Sequence, residues 1–168
     1  LLGSRLIQSI INNDVSQFKY LIDNGHKNEI RLKNDNQRTP LTVACSVGNL
    51  EIIKYLYNNG AKEDLFIKDK SNQGPLYVAC REGHIEVIKW LHSVGAIQDM
   101  QVSDFTNQKP LWFICNHNYI DIQKRLKMAE FLLLNDVITG NTCIKDKDII
   151  HYDIFNYLQD NDFKKRLY

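Results

Sequence analysis

The chain has 168 residues, 43% of them hydrophobic and 24% charged, enough to bury one continuous core and within the range of a single domain. Its 21 Lys and Arg nearly balance 20 Asp and Glu, and the net charge of +1 supplies no field that would gather nucleic acid or an anionic membrane. No run approaches the roughly 20 apolar residues of a membrane-spanning helix, and no basic stretch leads into an apolar signal segment at the amino end.

An internal period organises the rest. Pro40, Pro75 and Pro110 are the only prolines; they fall 35 residues apart, and each is followed by Leu. The same interval links Cys45, Cys80 and Cys115, then Ala44 and Ala79, Gly48 and Gly83, and Gly25, Gly60 and Gly95. A fixed period of this length is the signature of stacked supersecondary units.

In chain order, the first unit, about residues 1–33, places a helix around Leu6 to Ile11 and a second that carries Leu21 and Ile22 up to Gly25. It lacks the Pro-Leu opening, as an amino-terminal cap would. The second unit, 34–68, opens a helix at Thr39-Pro40-Leu41, where proline fits the first turn because its missing N–H would have no intrahelical partner. That helix runs to about Val47, and Gly48 is a left-handed stop. Leu50, Ile52, Ile53 and Leu56 then recur at helical spacing until Asn59-Gly60. The third unit, 69–103, repeats the pattern.

Between one helical hairpin and the next, Ile30, Leu65 and Met100 form one apolar column and Leu32, Ile67 and Val102 another. Alternation predicts an extended finger whose two columns pack finger on finger, with Arg31, Phe66 and Gln101 facing outward. The fourth unit, 104–136, keeps Asp104, Pro110, Leu111 and Cys115, puts Asn118 in the glycine position and inserts about six residues before Phe131-Leu132-Leu133-Leu134. Residues 137–168 read as a carboxyl-terminal cap, with an amphipathic helix over 146–160 carrying Ile149, Ile150, Ile154, Tyr157 and Leu158.

These motifs, above all Thr39-Pro40-Leu41, Ala44-Cys45, Gly48-Asn49-Leu50-Glu51-Ile52-Ile53, Gly60-Ala61 and Gly83-His84-Ile85-Glu86-Val87-Ile88-Lys89, resemble the ankyrin repeat. The resemblance implies an all-α repeat solenoid of stacked helix-turn-helix units with finger loops or short β-hairpins. It also implies a concave face lined by the fingers and first helices. The family's usual unit is about 33 residues, so the extra length falls in the finger.

Positions on that face which differ between units are free to be tuned to a partner. The anchors expected there are Phe66, Tyr77, Arg81, Phe105 and Trp112, since interface energy concentrates in aromatic and Arg residues; the alternative for Tyr77 and Trp112 is a family position that is partly buried and hydrogen-bonded. Arg38 and Lys70 would set charge complementarity, and His117 is a further variable position on the first helix of its unit. The aromatic column Tyr20, Tyr55, Trp90 and Phe131 on the second helices reads as packing between units.

Little points to catalysis or cofactors. Three of the four cysteines occupy one small-residue slot in successive helices, which pack about 8–10 Å apart, beyond the roughly 7 Å Cα separation of a disulfide; a reducing cytoplasmic compartment, or the nucleus, is expected. His84 and His92 have no Cys or carboxylate at zinc spacing. The chain carries no phosphate loop, nucleophile elbow or His-Glu helix pair. No metal, cofactor or small-molecule substrate is expected. The near-neutral charge and the lack of a basic stripe at one repeated position place nucleic-acid binding behind protein binding. The expected function is a non-catalytic protein-interaction module, an adaptor or part of a larger assembly. The alternative, raised by a start at Leu1 rather than Met, is the recognition domain of a longer enzyme or membrane protein.

Overall fold

The computed structural model describes residues 4–116 and 119–135. Among them are eight α-helices: α1 (Arg5–Ile11), α2 (Val15–Asp23), α3 (Pro40–Val47), α4 (Leu50–Asn58), α5 (Pro75–Glu82), α6 (Ile85–Ser93), α7 (Pro110–Asn116) and α8 (Ile122–Leu134). They pair as four hairpins, α1–α2 through α7–α8, with α1, α3, α5 and α7 stacked as an inner row. Most are only two turns or so long, too short to hold in isolation, so each depends on its neighbours for stability.

Local chemistry sets the helix ends. Ser4, Asp14, Thr39 and Asn49 cap α1 to α4, each side-chain oxygen accepting from a first-turn amide. Pro40 and Pro75 open α3 and α5. Gly48 and Gly83 close those helices in the left-handed region at φ 84° and 77°. Asn13, 35 residues before Gly48, holds the same position in the first hairpin at φ 55°, a conformation Asn tolerates better than most side chains.

The core is continuous along the stack. Leu6 and Ile10 of α1, Leu41, Ala44 and Cys45 of α3, and Leu76, Ala79 and Cys80 of α5 are fully covered, as are the second-helix residues Ile53, Leu56, Ile88 and Leu91. In α8 the buried residues are Met128, Ala129 and Leu132, spaced like Val87, Ile88 and Leu91 of α6 but 41 positions on instead of 35. Leu126–Leu134 therefore corresponds to Ile85–Ser93, and α8 has gained one helical turn at its amino end. Asp121 receives that turn, its Oδ1 accepting from Gln123 N at 3.0 Å.

The fingers differ from the extended pairs expected. No described residue is in a β-strand; 3-10 turns at His26–Glu29, Lys62–Phe66 and Gln98–Gln101 replace the approach arms. Ile30, Leu65 and Met100 are buried, but Leu32 is 55% exposed and Ile67 and Val102 are only half-covered. Alternation holds only where the backbone is extended, and the turns carry the first column inward while leaving the second at the edge. Residues 137–168, including the expected capping helix and Cys143, lie outside the described residues, as do His117, Asn118 and the Cys115 side chain.

Candidate partner-binding face

Each finger ends in the same tight turn. Asn34 N donates to Arg38 O at 3.0 Å, Asp69 N to Gln73 O at 3.0 Å and Asp104 N to Gln108 O at 2.9 Å. The third residue after each of these Asx residues, Gln37, Asn72 and Asn107, is left-handed at φ 61° to 63°. The Asx side chain fixes the turn from inside: Asp69 Oδ1 accepts from Ser71 N and Gln73 N, as Asn34 Oδ1 and Asp104 Oδ1 do from their own loops. Successive tips are then joined by backbone bonds, Lys70 N to Asn36 O at 3.0 Å and Phe105 N to Ser71 O at 3.2 Å, and Asn72 Nδ2 donates to Ser103 O at 2.7 Å.

The second carboxylate oxygen of each finger Asp faces the preceding unit. Asp69 Oδ2 takes Arg38 Nε at 2.8 Å. Asp104 Oδ2 takes Gln73 Nε2 at 3.0 Å and Tyr77 Oη at 2.6 Å. Burial alone would raise Asp104, but the bonds from Tyr77, Thr106, Gln108 and Gln73 prevail and hold its carboxyl below the ordinary range. Burial and the adjoining Asp104 push the Tyr77 hydroxyl well above its ordinary value. Arg81 reaches Gln73 Oε1 at 2.5 Å and Glu82 at 2.8 Å.

A second acidic column, unnoticed in the sequence, runs through Glu29, Asp64 and Asp99. Each has a cationic partner or histidine: His26 at 2.7 Å, Arg31 Nε at 2.9 Å, and Lys68. Asp64 is fully covered, and burial raises it against the pull of Arg31. The 35-residue interval itself was the available signal for this column.

The expected contact residues therefore separate. Phe105 is 77% exposed at a tip and Phe66 is 48% exposed, while Lys70 is exposed beside Phe105's neighbour Ser71. Arg38 and Arg81 lie on the face but are held by Asp69 and by Gln73 with Glu82. Trp112 is half-buried, edge-on to Phe113 at 5.0 Å. Tyr77 faces inward: it is 2% exposed and its hydroxyl is used by Asp104, because α5 stacks directly on α7. It has no surface to offer a partner in this arrangement, and His117 lies outside the described residues.

The opposite, outer face is a packed one. Tyr57 meets Trp90 edge to face at 5.2 Å and His92 meets Phe131 at 5.5 Å, each pair joining neighbouring units. Tyr20 departs from the expected packing and is 61% exposed, because no preceding unit among the described residues covers it. A basic position does repeat, contrary to the sequence reading: Lys19, Lys54 and Lys89 are all exposed at the 35-residue interval. Glu51 and Glu86 interleave with them, pairing with Lys19 at 2.6 Å and Lys89 at 3.0 Å, so the stripe is mixed in sign. An open groove of about 270 Å³ between α2 and α4 is lined by Phe18, Ile52 and Tyr55 together with Lys19, Glu51 and Lys54.

Among the described residues no cluster of three or more His, Cys, Asp or Glu is placed to hold a metal ion, and no helix is long and apolar enough to cross a membrane. Cys45 and Cys80 are buried free thiols. No curated protein matches the chain. A family model described as ankyrin repeats, in three copies, matches residues 6–104, more than half the chain. With the paired helices, stacked inner row and finger turns it matches, the chain belongs to the ankyrin-repeat family.

Proposed function

We propose that the chain is a non-catalytic protein-interaction module, an adaptor or scaffold component whose partner seats on the fingers and inner helices. Ankyrin repeats are in general protein-interaction modules. The observation that carries the reading here is Phe105, an aromatic ring 77% exposed on a tip whose backbone is bonded on both sides of its turn. A solvent-facing ring with only two side-chain torsions on a hydrogen-bonded backbone costs little ordering entropy when a partner covers it. Phe66 and Lys70 belong to the same face, with Trp112, Arg81 and Arg38 at its inner edge. The buried free thiols fit a reducing compartment such as the cytoplasm.

The test is an affinity capture from source cells comparing the wild-type chain with Phe66→Ala/Phe105→Ala, after matching helicity and melting. The expected result is a partner retained by the wild type and lost by the variant. A partner held equally by both places the interface elsewhere and removes the finger face from the proposal.

A further inference from the structure

The fingers sort their charges by depth, and this points to the chemistry of the partner; the inference rests on the finger face being the binding surface. Asp64, Asp69 and Asp104 are each at most 8% exposed; Asp69 and Asp104 are taken up by donors from the preceding unit and their own loops, and Asp64 by Arg31 at one oxygen, with the charge of Lys33 nearby. Their negative charge is spent inside the stack. Lys33 and Lys70 stand exposed at the surface, and neither ammonium is ion-paired with a described residue. Two exposed carboxylates of the same face are paired, Glu63 with Arg31 and Glu82 with Arg81, and Asp35 stands at the tip before Lys70. The exposed charges of that face that form no ion pair with a described residue thus include the two ammonium groups of Lys33 and Lys70.

The free cation and the free ring are neighbours. Lys70 and Phe105 occupy the same position on successive tips, and the tips are joined by the Phe105 N to Ser71 O bond. Stacked units of this kind lie about 10 Å apart, a distance an extended chain covers in about three residues. We infer that the finger face binds an acidic segment of a partner protein, in which apolar side chains lie between the carboxylates. Carboxylates of that segment face Lys33 and Lys70, and its apolar side chains cover Phe105 and Phe66. The attraction sets the encounter rate and register, and the rings supply the holding contact.

The experiment selects a phage-displayed library of random dodecapeptides on the 168-residue chain, then measures synthetic copies of the enriched peptides. The expected sequences are rich in Asp and Glu with interspersed aromatic or aliphatic residues. Their affinity should fall about tenfold or more on Lys33→Glu/Lys70→Glu and weaken with added salt. Lys33→Gln/Lys70→Gln serves as the second variant should charge reversal beside Asp64 disturb folding, and should show a smaller loss in the same direction.

Enriched peptides that are neutral or basic, or affinities unchanged by both variants, overturn the inference while leaving protein binding at the face intact. A random-sequence oligonucleotide that binds more tightly than any peptide and is lost in the same variants also overturns it. If no peptide is enriched and no cellular partner depends on Phe66 and Phe105, the underlying reading falls and the inference with it.

Discussion

Tyr77 Oη and Asp104 Oδ2 meet at 2.6 Å across the boundary between the third and fourth units. The second unit has Thr42 at the position of Tyr77, and its hydroxyl turns to Thr39 of its own helix at 3.1 Å. One column thus makes a local contact in one unit and a bond between units in the next.

Tyr77→Phe should cost about 1.5–3 kcal/mol, the value of a buried bond to a charged acceptor. A urea titration checks it. Because the ring is covered, the same substitution should leave the affinity of any finger-bound partner unchanged.

Asp104 is held below its ordinary range in the folded chain, so the unfolded chain takes up this proton first as pH falls. Its stabilisation is complete above about pH 4, the ordinary carboxylate value, and is lost as pH drops toward the folded value. Asp104→Asn should be less stable than wild type near neutrality. The gap should narrow on acidification, by no more than about 1.4 kcal/mol per pH unit. Urea midpoints from pH 7 down to about pH 3 measure the gap directly.

Gly48→Ala should be more damaging than Gly25→Ala. Both glycines are left-handed, at φ 84° and 99°, and a side chain there costs about 1–2 kcal/mol. A methyl at Gly25 meets no atom within 4 Å, whereas at Gly48 it overlaps the His84 ring, which lies over the turn with Nε2 3.0 Å from Ser46 O. In a His84→Ala background the penalty at residue 48 should fall toward that at residue 25, and a double-mutant cycle reads the coupling.

Cys45 and Cys80 are fully covered and burial raises both thiols far above their ordinary range. Labelling by a thiol reagent at these two positions, followed by peptide mapping, should proceed only at the rate of unfolding. Fast labelling in the native chain would show that the inner row opens locally.

The periodic backbone of this fold was legible because helix caps, left-handed stops and buried columns all recur at 35 residues. Pro40, Gly48 and Ile53 could each be assigned from their copies. The polar ties between units were not, because they run diagonally. Arg38 to Asp69, Gln73 to Asp104 and Lys68 to Asp99 are all 31 residues apart, so no column comparison aligns the partners. Tyr77 stood open between an anchor and a hydrogen-bonded inner position for this reason: its column varies, and only the diagonal neighbour Asp104 shows that it points inward. Phe66 and Phe105 were legible because no core column claims them. The displacement in α8 was visible as extra length, but its form as a helical turn depends on Asp121 capping a new start.

Two of the bonds between finger tips use only backbone atoms, Lys70 N with Asn36 O and Phe105 N with Ser71 O, while the Asn72 side chain reaches Ser103 O beside them. The backbone bonds do not depend on which side chains Lys70 and Phe105 carry, so those two positions can differ between units while Asn72 with Ser103 O and Arg38 with Asp69 hold the fingers together. The outward character of the tips and the joining of the units are thus set by different atoms.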